Sequence, residues 1–238
     1  MTMTITALTL DLDDTLWPVM PTLLRAEAVL QDWLRAHAPA TAAAFDVPTL
    51  QRLRGEVGRR HPALAHDLTA LRLITLREAL AAAGDDPALA EPAFTVFFAE
   101  RQRVQWYGDV RPALERLAAR FPLLALSNGN AELAATGLAP YFVGAVSARS
   151  CGVAKPAVRI FEAACAELRC TAGQVMHVGD DWTLDVVGAR RAGLHTAWIR
   201  RPEAALHRGP ASADADDAPA GLHLHLDDLL VLADALGA

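Results

Sequence analysis

The period of hydrophobic and polar positions changes twice along the chain. From Ile5 to Leu16 apolar and polar residues alternate, which predicts a β-strand, and the run ends in Asp11-Leu12-Asp13-Asp14-Thr15. After Trp17-Pro18 the spacing becomes helical: Leu23, Ala26, Leu30 and Trp33 share a face, and Pro21 suits a first turn. Pro39 and Pro48 bracket a break before a second helix over 48–60, and His61-Pro62 interrupts again. Over 64–83 two apolar stripes, Leu64/Leu68/Leu71 and Leu73/Leu76/Leu80, predict a helix packed between neighbours, with Gly84 as its stop. A further helix is predicted over 87–105. Residues 18–106 therefore read as an all-helical unit of about four helices.

From Asp109 onward strand and helix alternate. Asp109 is placed to cap a helix with Pro112 in its first turn. Leu123–Leu126 is a short buried strand running into Ser127-Asn128-Gly129-Asn130, followed by a short helix and a strand over 143–146. Lys155-Pro156 opens a helix with Val158, Phe161, Cys165 and Leu168 on one face. Val175–Val178 is a strand ending in Gly179-Asp180-Asp181. A helix over 182–192, a strand over His195–Ile199, an exposed mobile loop over 203–221, a strand over Leu222–Leu226 and a helix over 227–236 complete the reading. Such alternation predicts an α/β fold. Residues 1–17 and 107–238 form a Rossmann-like, doubly wound parallel sheet core, with the helical bundle inserted.

Composition narrows the function. The net charge of −6 offers no footprint for nucleic acid, and no apolar run reaches the length of a membrane span. The first apolar run has no basic residue before it and ends in Asp11, unlike a signal peptide. Cys151, Cys165 and Cys170 make no CxxC pair and no even framework, so a cytoplasmic location is expected. Every basic residue except Lys155 is an arginine, and Asn128 and Asn130 are the only asparagines. A lysine that survives such a bias points to a requirement for its compact ammonium.

The chemistry lies at the strand ends. Ligands of open α/β sheets bind beyond the carboxyl ends of the strands, so Asp11/Asp13, Ser127/Asn128 and Asp180/Asp181 should converge with Lys155 nearby. A carboxylate can attack phosphorus, and a second one two residues on can move protons. Carboxylates at one strand tip repel each other unless a cation separates them, and Mg²⁺ prefers oxygen ligands. Asp14 points away from this pair and reads as a turn residue. His223 and His225 share a face of the last strand, but no third metal ligand is in view. Trp17 either floors the pocket or packs at the domain junction. In the helical unit, His61, His66, Arg72 and Arg77 could meet a substrate or sit on a helix surface.

In their order and content these segments resemble the four motifs of the haloacid dehalogenase superfamily. The resemblance implies that Asp11 is the nucleophile and Asp13 the acid/base. Ser127 and Asn128 would hold substrate phosphate, and Lys155 would balance charge as both catalytic and substrate-binding residue. It implies Mg²⁺ on the Asp11 carboxylate, the Asp13 carbonyl and the Asp180 carboxylate, with Asp181 or Asp185 acting through water. The insertion matches a C1-type helical cap, and the interval between Ser127 and Lys155 is too short for a C2-type cap. Related dehalogenases lack an acid at the Asp13 position, and phosphonate-cleaving relatives use a cap lysine that is absent here. Asp11-Leu12-Asp13-Asp14-Thr15-Leu16, Gln51-Arg52-Leu53-Arg54, His66-Asp67-Leu68-Thr69, Asn128-Gly129-Asn130 and His177-Val178-Gly179-Asp180-Asp181 are similar to bacterial phosphatases of flavin mononucleotide and of 5-amino-6-(5-phospho-D-ribitylamino)uracil. The implied partner is a small-molecule phosphate ester. A sugar-phosphate phosphatase, a phosphomutase and a non-catalytic phospho-ligand binder are the alternatives.

Overall fold

A computed structural model describes residues 5–201 and 222–238. The loop expected over 203–221 lies outside the described residues. Contacts divide the chain into two compact units, Met1–Pro18 with Gln105–Ala238, and Val19–Val104.

The first unit is a six-stranded sheet, all parallel, in the order β3-β2-β1-β4-β5-β6. The strands are β1 (Ala7–Leu10), β2 (Leu123–Ser127), β3 (Gly144–Ser147), β4 (Val175–Gly179), β5 (His195–Ile199) and β6 (His223–Leu226). β1 is central, with Leu10 paired to Ala125 on one side and Val178 on the other. Its alternation is not the half-solvated kind, because all four residues are buried. Thr9 is tolerated there because its hydroxyl meets His177 Nδ1 at 2.8 Å. The chain builds β2 and β3 on one side of β1 and then crosses to β4 on the other. The crevice of this α/β sheet therefore opens between the ends of β1 and β4. One apolar core of this unit joins Leu124 and Leu126 of β2 to Ile160, Phe161 and Ala164.

The second unit contains α1 (Val19–His37), α2 (Pro39–Ala44), α3 (Val47–Arg60), α4 (Leu68–Ala83) and α5 (Ala90–Arg101). Its core gathers Leu30, Leu34, Leu50, Leu76, Leu80 and Phe97. Asp46 and Asp67 accept N–H bonds at the starts of α3 and α4, and Gly84 closes α4 at φ +84°. The break expected at Pro39 is instead α2, since proline fits a first helical turn. The helix expected over 87–105 opens as a 3₁₀ turn, Pro87–Leu89, and its α-helical part stops at Arg101. Among the described residues no helix is long and apolar enough to cross a membrane.

Three further expectations are corrected in the α/β unit, whose α-helices among the described residues are α6 (Val110–Arg120), α7 (Ala148–Cys151), α8 (Val158–Leu168), α9 (Gly188–Arg191) and α10 (Leu229–Ala235). The short helix expected between Asn130 and β3 does not form. A single turn closes through Leu138 N–H to Leu133 O at 2.8 Å, and Gly137 at φ +80° ends it. Asp109 precedes α6 but does not cap it. Its carboxylate binds Arg201 at 2.9 Å through both oxygens and accepts the first N–H of α10, from Leu229, at 2.8 Å. A bidentate guanidinium outcompetes a local N–H. The helix over 182–192 is split into a wide π-type turn, Trp182–Val187, and then α9.

Candidate active site

The turn after β1 is held from four directions. Asp11 N–H donates to Val178 O at 2.9 Å, which fixes the nucleophile candidate to the end of β4. Asp14 adopts left-handed φ +61°, and its N–H closes the turn on Trp17 O at 2.8 Å. Aspartate tolerates that conformation better than most residues, consistent with a turn role. Thr15 donates its hydroxyl to Asp180 Oδ1 at 2.8 Å. Arg201 donates to Thr15 O at 3.0 and 3.1 Å and lies over the Tyr107 ring at 4.3 Å. Trp17 is fully buried, and its indole N–H reaches Asp13 Oδ1 at 2.8 Å.

The ends of the other strands bring in the remaining groups. Ser127 is buried at the end of β2, and its Oγ accepts Gly129 N–H at 3.0 Å. Both ends of the Asn128 amide are used on the main chain of Lys155: Oδ1 accepts its N–H at 2.7 Å, and Nδ2 donates to its carbonyl at 3.1 Å. Asn128 thereby aims Lys155. The buried ammonium lies 2.7 Å from Asp11 Oδ1 and 2.6 Å from Asp185 Oδ1.

After β4 the three aspartates diverge. Asp180 faces the site. Asp181 turns away, because its Oδ1 accepts Thr183 and Leu184 N–H at 2.9 and 2.8 Å. The wide turn, closed by Val186 N–H to Asp181 O at 3.3 Å, returns Asp185 beneath Gly179. A Cβ on Gly179 would fall 2.3 Å from the Asp185 carboxyl, so only glycine fits. Asp185 accepts Asp181 N–H at 3.0 Å and meets His177 Nε2 at 3.1 Å.

Electrostatics follow from burial and charge count. Burial would raise Asp185, yet Lys155 and His177 hold its carboxyl well below the usual carboxylate range. Burial likewise would lower Lys155, but Asp11 and Asp185 keep it above its ordinary value. Burial pushes the Asp11 carboxyl up to about 7, with Lys155 opposing and Asp185 adding to the rise. His177 is depressed from 6.5 by burial and stays neutral beside them. One ammonium thus pairs with two carboxylates while Asp180 lies alongside. Oxygens of Asp11, Asp180 and Asp185 lie within 4.8 Å of one another, all from buried residues. A compact, all-carboxylate, over-negative donor set fits a hard divalent cation such as Mg²⁺.

Four contributors were not legible in the sequence as site residues: Thr15, His177, Arg201 and Trp17 in its hydrogen-bonding role. They act on other side chains rather than on a ligand. Thr15 and His177 stood inside motif stretches without a role of their own, Trp17 was read only as pocket floor or packing, and Arg201 carried no signal. In the helical unit Arg72 is buried against Glu27 at 2.9 Å, and Arg77 pairs with Glu91. His223 contacts Thr196 and its ring packs against Trp182 and His225, and neither histidine belongs to the acidic cluster.

Residues 5–193 match the family model for haloacid dehalogenase-like hydrolases. The chain is 36% identical over 200 residues to the 5-amino-6-(5-phospho-D-ribitylamino)uracil phosphatase YigB of Escherichia coli, covering 82% of this chain and 84% of that one. It is 31% identical over 192 residues to a phosphoserine phosphatase of Thermus thermophilus, covering 74% and 73%. Among solved structures, a protein described as 2-haloacid dehalogenase from Pseudomonas syringae superposes with a TM-score of 0.84 at 36% identity. That match covers 99% of this chain and 100% of the other. With a parallel sheet whose strand ends carry an Asp-Lys-Asp cluster, and relatives matching across most of its length, this chain belongs to the haloacid dehalogenase-like hydrolases.

Proposed function

We infer that the chain is a Mg²⁺-dependent phosphatase of small phosphate monoesters, working through a phosphorylated Asp11. The observation that carries this is the buried cluster in which Lys155 touches both Asp11 and Asp185 while Asp180 lies alongside, at the sheet's switch point. Mg²⁺, held by the Asp11 and Asp180 carboxylates and the Asp13 carbonyl with Asp185 behind them, would neutralise phosphate charge. Lys155 holds the Asp11 carboxylate in place and offsets its repulsion from an incoming phosphate. Asp11 forms the O–P bond as the ester O–P bond breaks, and Asp13 gives its proton to the leaving oxygen. Asp13 then takes a proton from water as the water oxygen attacks phosphorus. The Asp11–phosphorus bond breaks, releasing inorganic phosphate and restoring both carboxyl groups. Ser127 is the side chain proposed to hold a phosphate oxygen. Asn128, proposed to contact substrate as well, also keeps Lys155 aimed. Val19–Val104, the helical insertion, is proposed as the C1-type cap, and the cytoplasm as the compartment.

The YigB likeness makes 5-amino-6-(5-phospho-D-ribitylamino)uracil the first substrate to test, and the motif resemblance adds flavin mononucleotide. A metabolite screen with Mg²⁺ is expected to show phosphate release from one of these above sugar phosphates. Release should be abolished by EDTA and in Asp11→Asn, and wild-type protein should trap a hydroxylamine-sensitive phosphoryl label. Much faster turnover of sugar phosphates would refute the substrate assignment, and full activity in Asp11→Asn would refute the mechanism. The Pseudomonas likeness favours a second reading, dehalogenation, so 2-haloacids belong in the screen. Halide release without phosphate release would establish that reading instead.

A further inference from the structure

We propose that Trp17 is a positioning residue for Asp13, its indole N–H fixing which carboxyl oxygen carries the transferable proton. This rests on the acid/base reading of Asp13 above. The indole nitrogen lies 2.8 Å from Asp13 Oδ1, and the Trp17 ring has no solvent exposure. The backbones of the two residues also pair across the turn as an isolated bridge. The backbone carrying the ring is tethered on both sides. Trp17 O accepts Asp14 N–H at 2.8 Å, and Leu16 N–H closes on Leu12 O at 2.8 Å. Arg201 pins the same turn through Thr15 O. A buried ring on so constrained a backbone presents its N–H in one direction.

The donor type decides what this contact does. An indole donates and cannot accept, so it never exchanges a proton with Asp13. Its hydrogen bond occupies Oδ1 as an acceptor, which biases the proton of the neutral carboxyl to Oδ2. The carboxyl plane is fixed by the same bond. A carboxyl that could spin would reach the leaving oxygen in only part of its orientations, and misplacement of a catalytic group lowers rate steeply. Bulk alone does not account for the contact, since phenylalanine would fill a similar core space without a donor.

Trp17→Phe retains an aromatic ring and deletes the donor. The test compares two esters: an alkyl phosphate, whose alkoxide must be protonated as it leaves, and p-nitrophenyl phosphate, whose phenolate leaves unaided. For the alkyl ester, kcat should fall about 10-fold or more with KM unchanged, part of the general-acid contribution. First-turnover release of nitrophenolate should stay within about twofold of wild type, since that step needs no acid. Equal losses on both esters, or a change confined to KM, would overturn the proposal and leave Trp17 as packing. Full alkyl-ester turnover in Asp13→Asn would overturn the acid/base reading itself, a distinct result. Should Trp17→Phe not fold, the contact is tested without it. In Asp13→Ala, one of the five indole N–H signals in a proton–nitrogen NMR spectrum should move because Trp17 loses its acceptor. Five unmoved signals would sink the idea.

Discussion

Two buried ionic clusters, one in each unit, are built from the same kinds of group and are unbalanced in opposite directions. In the α/β unit Lys155 lies between Asp11 and Asp185, with Asp180 beside them, so negative charge is in excess. In the helical unit Glu27 meets buried Arg72 at 2.9 Å and the more exposed Arg54 at 3.9 Å, so positive charge is in excess. There the surplus is relieved locally. Arg72 lies 3.5 Å over the Phe97 ring, and Arg54 keeps much of its side chain in solvent. Burial still pushes the Arg72 guanidinium below its ordinary value. In the α/β cluster burial raises Asp11 to about 7, with Lys155 opposing and Asp185 adding to the rise. A buried ion pair by itself says little about function. The excess of buried carboxylates is what makes the α/β cluster the candidate place for a cation.

The comparison can be tested by removing charges one at a time. Lys155→Met should have the largest effect, because Asp11 and Asp185 lose the buried ammonium they share. Turnover should vanish, and urea denaturation should show a loss of about 3–5 kcal/mol. Glu27→Gln should come next, stranding Arg72. The Phe97 face and water near Arg54 soften the cost to roughly 3 kcal/mol or less, measured the same way. If it cost more than Lys155→Met, the contrast between the clusters would be wrong. Mg²⁺ should separate them further. At about a hundredfold excess over its dissociation constant it should stabilise the folded protein by about 2.7 kcal/mol, seen as a rise in melting temperature. Asp180→Asn should lose most of that rise and Glu27→Gln none of it.

The smallest effect concerns the balanced pair Arg201–Asp109. Burial would raise Asp109, but Arg201 and the Leu229 N–H keep its carboxyl below the ordinary 3.8. A carboxyl depressed in the folded state lends stability above pH 3.8, and that stability is lost as pH falls through the folded value. Asp109→Asn should therefore flatten the acid limb of a stability–pH curve below 3.8 and leave the neutral region parallel to wild type.

Much of the fold was legible because its signals are local. The alternation before Asp11, the proline and glycine stops and the helical stripes each depend on a few neighbouring residues. The failures lie where a distant partner overruled a local preference. Asp109 looked like the cap of α6, but Arg201, far along the chain, took its carboxylate for the start of α10. Residues 182–192 looked like one helix, but the pull of Lys155 and His177 on Asp185 accompanies a wide first turn.

The acidic segments were equally readable as candidates, since Asp11, Asp13, Asp180 and Lys155 stand out by type and by position after predicted strands. By itself the sequence placed the acidic groups after strands of one parallel sheet and Lys155 at the opening of a helix nearby, because alternating strands and helices leave few other arrangements. Only the tertiary structure decided how the aspartates divide. Asp181 and Asp185 are four residues apart and chemically identical. One caps a turn and the other meets Lys155, and the choice depends on the path of the backbone around Gly179 and on a histidine from inside β4. Trp17 is the same kind of case. Its bulk and position near the first motif were plain, but a hydrogen bond is directional, and the direction of its N–H toward Asp13 exists only once the turn has closed.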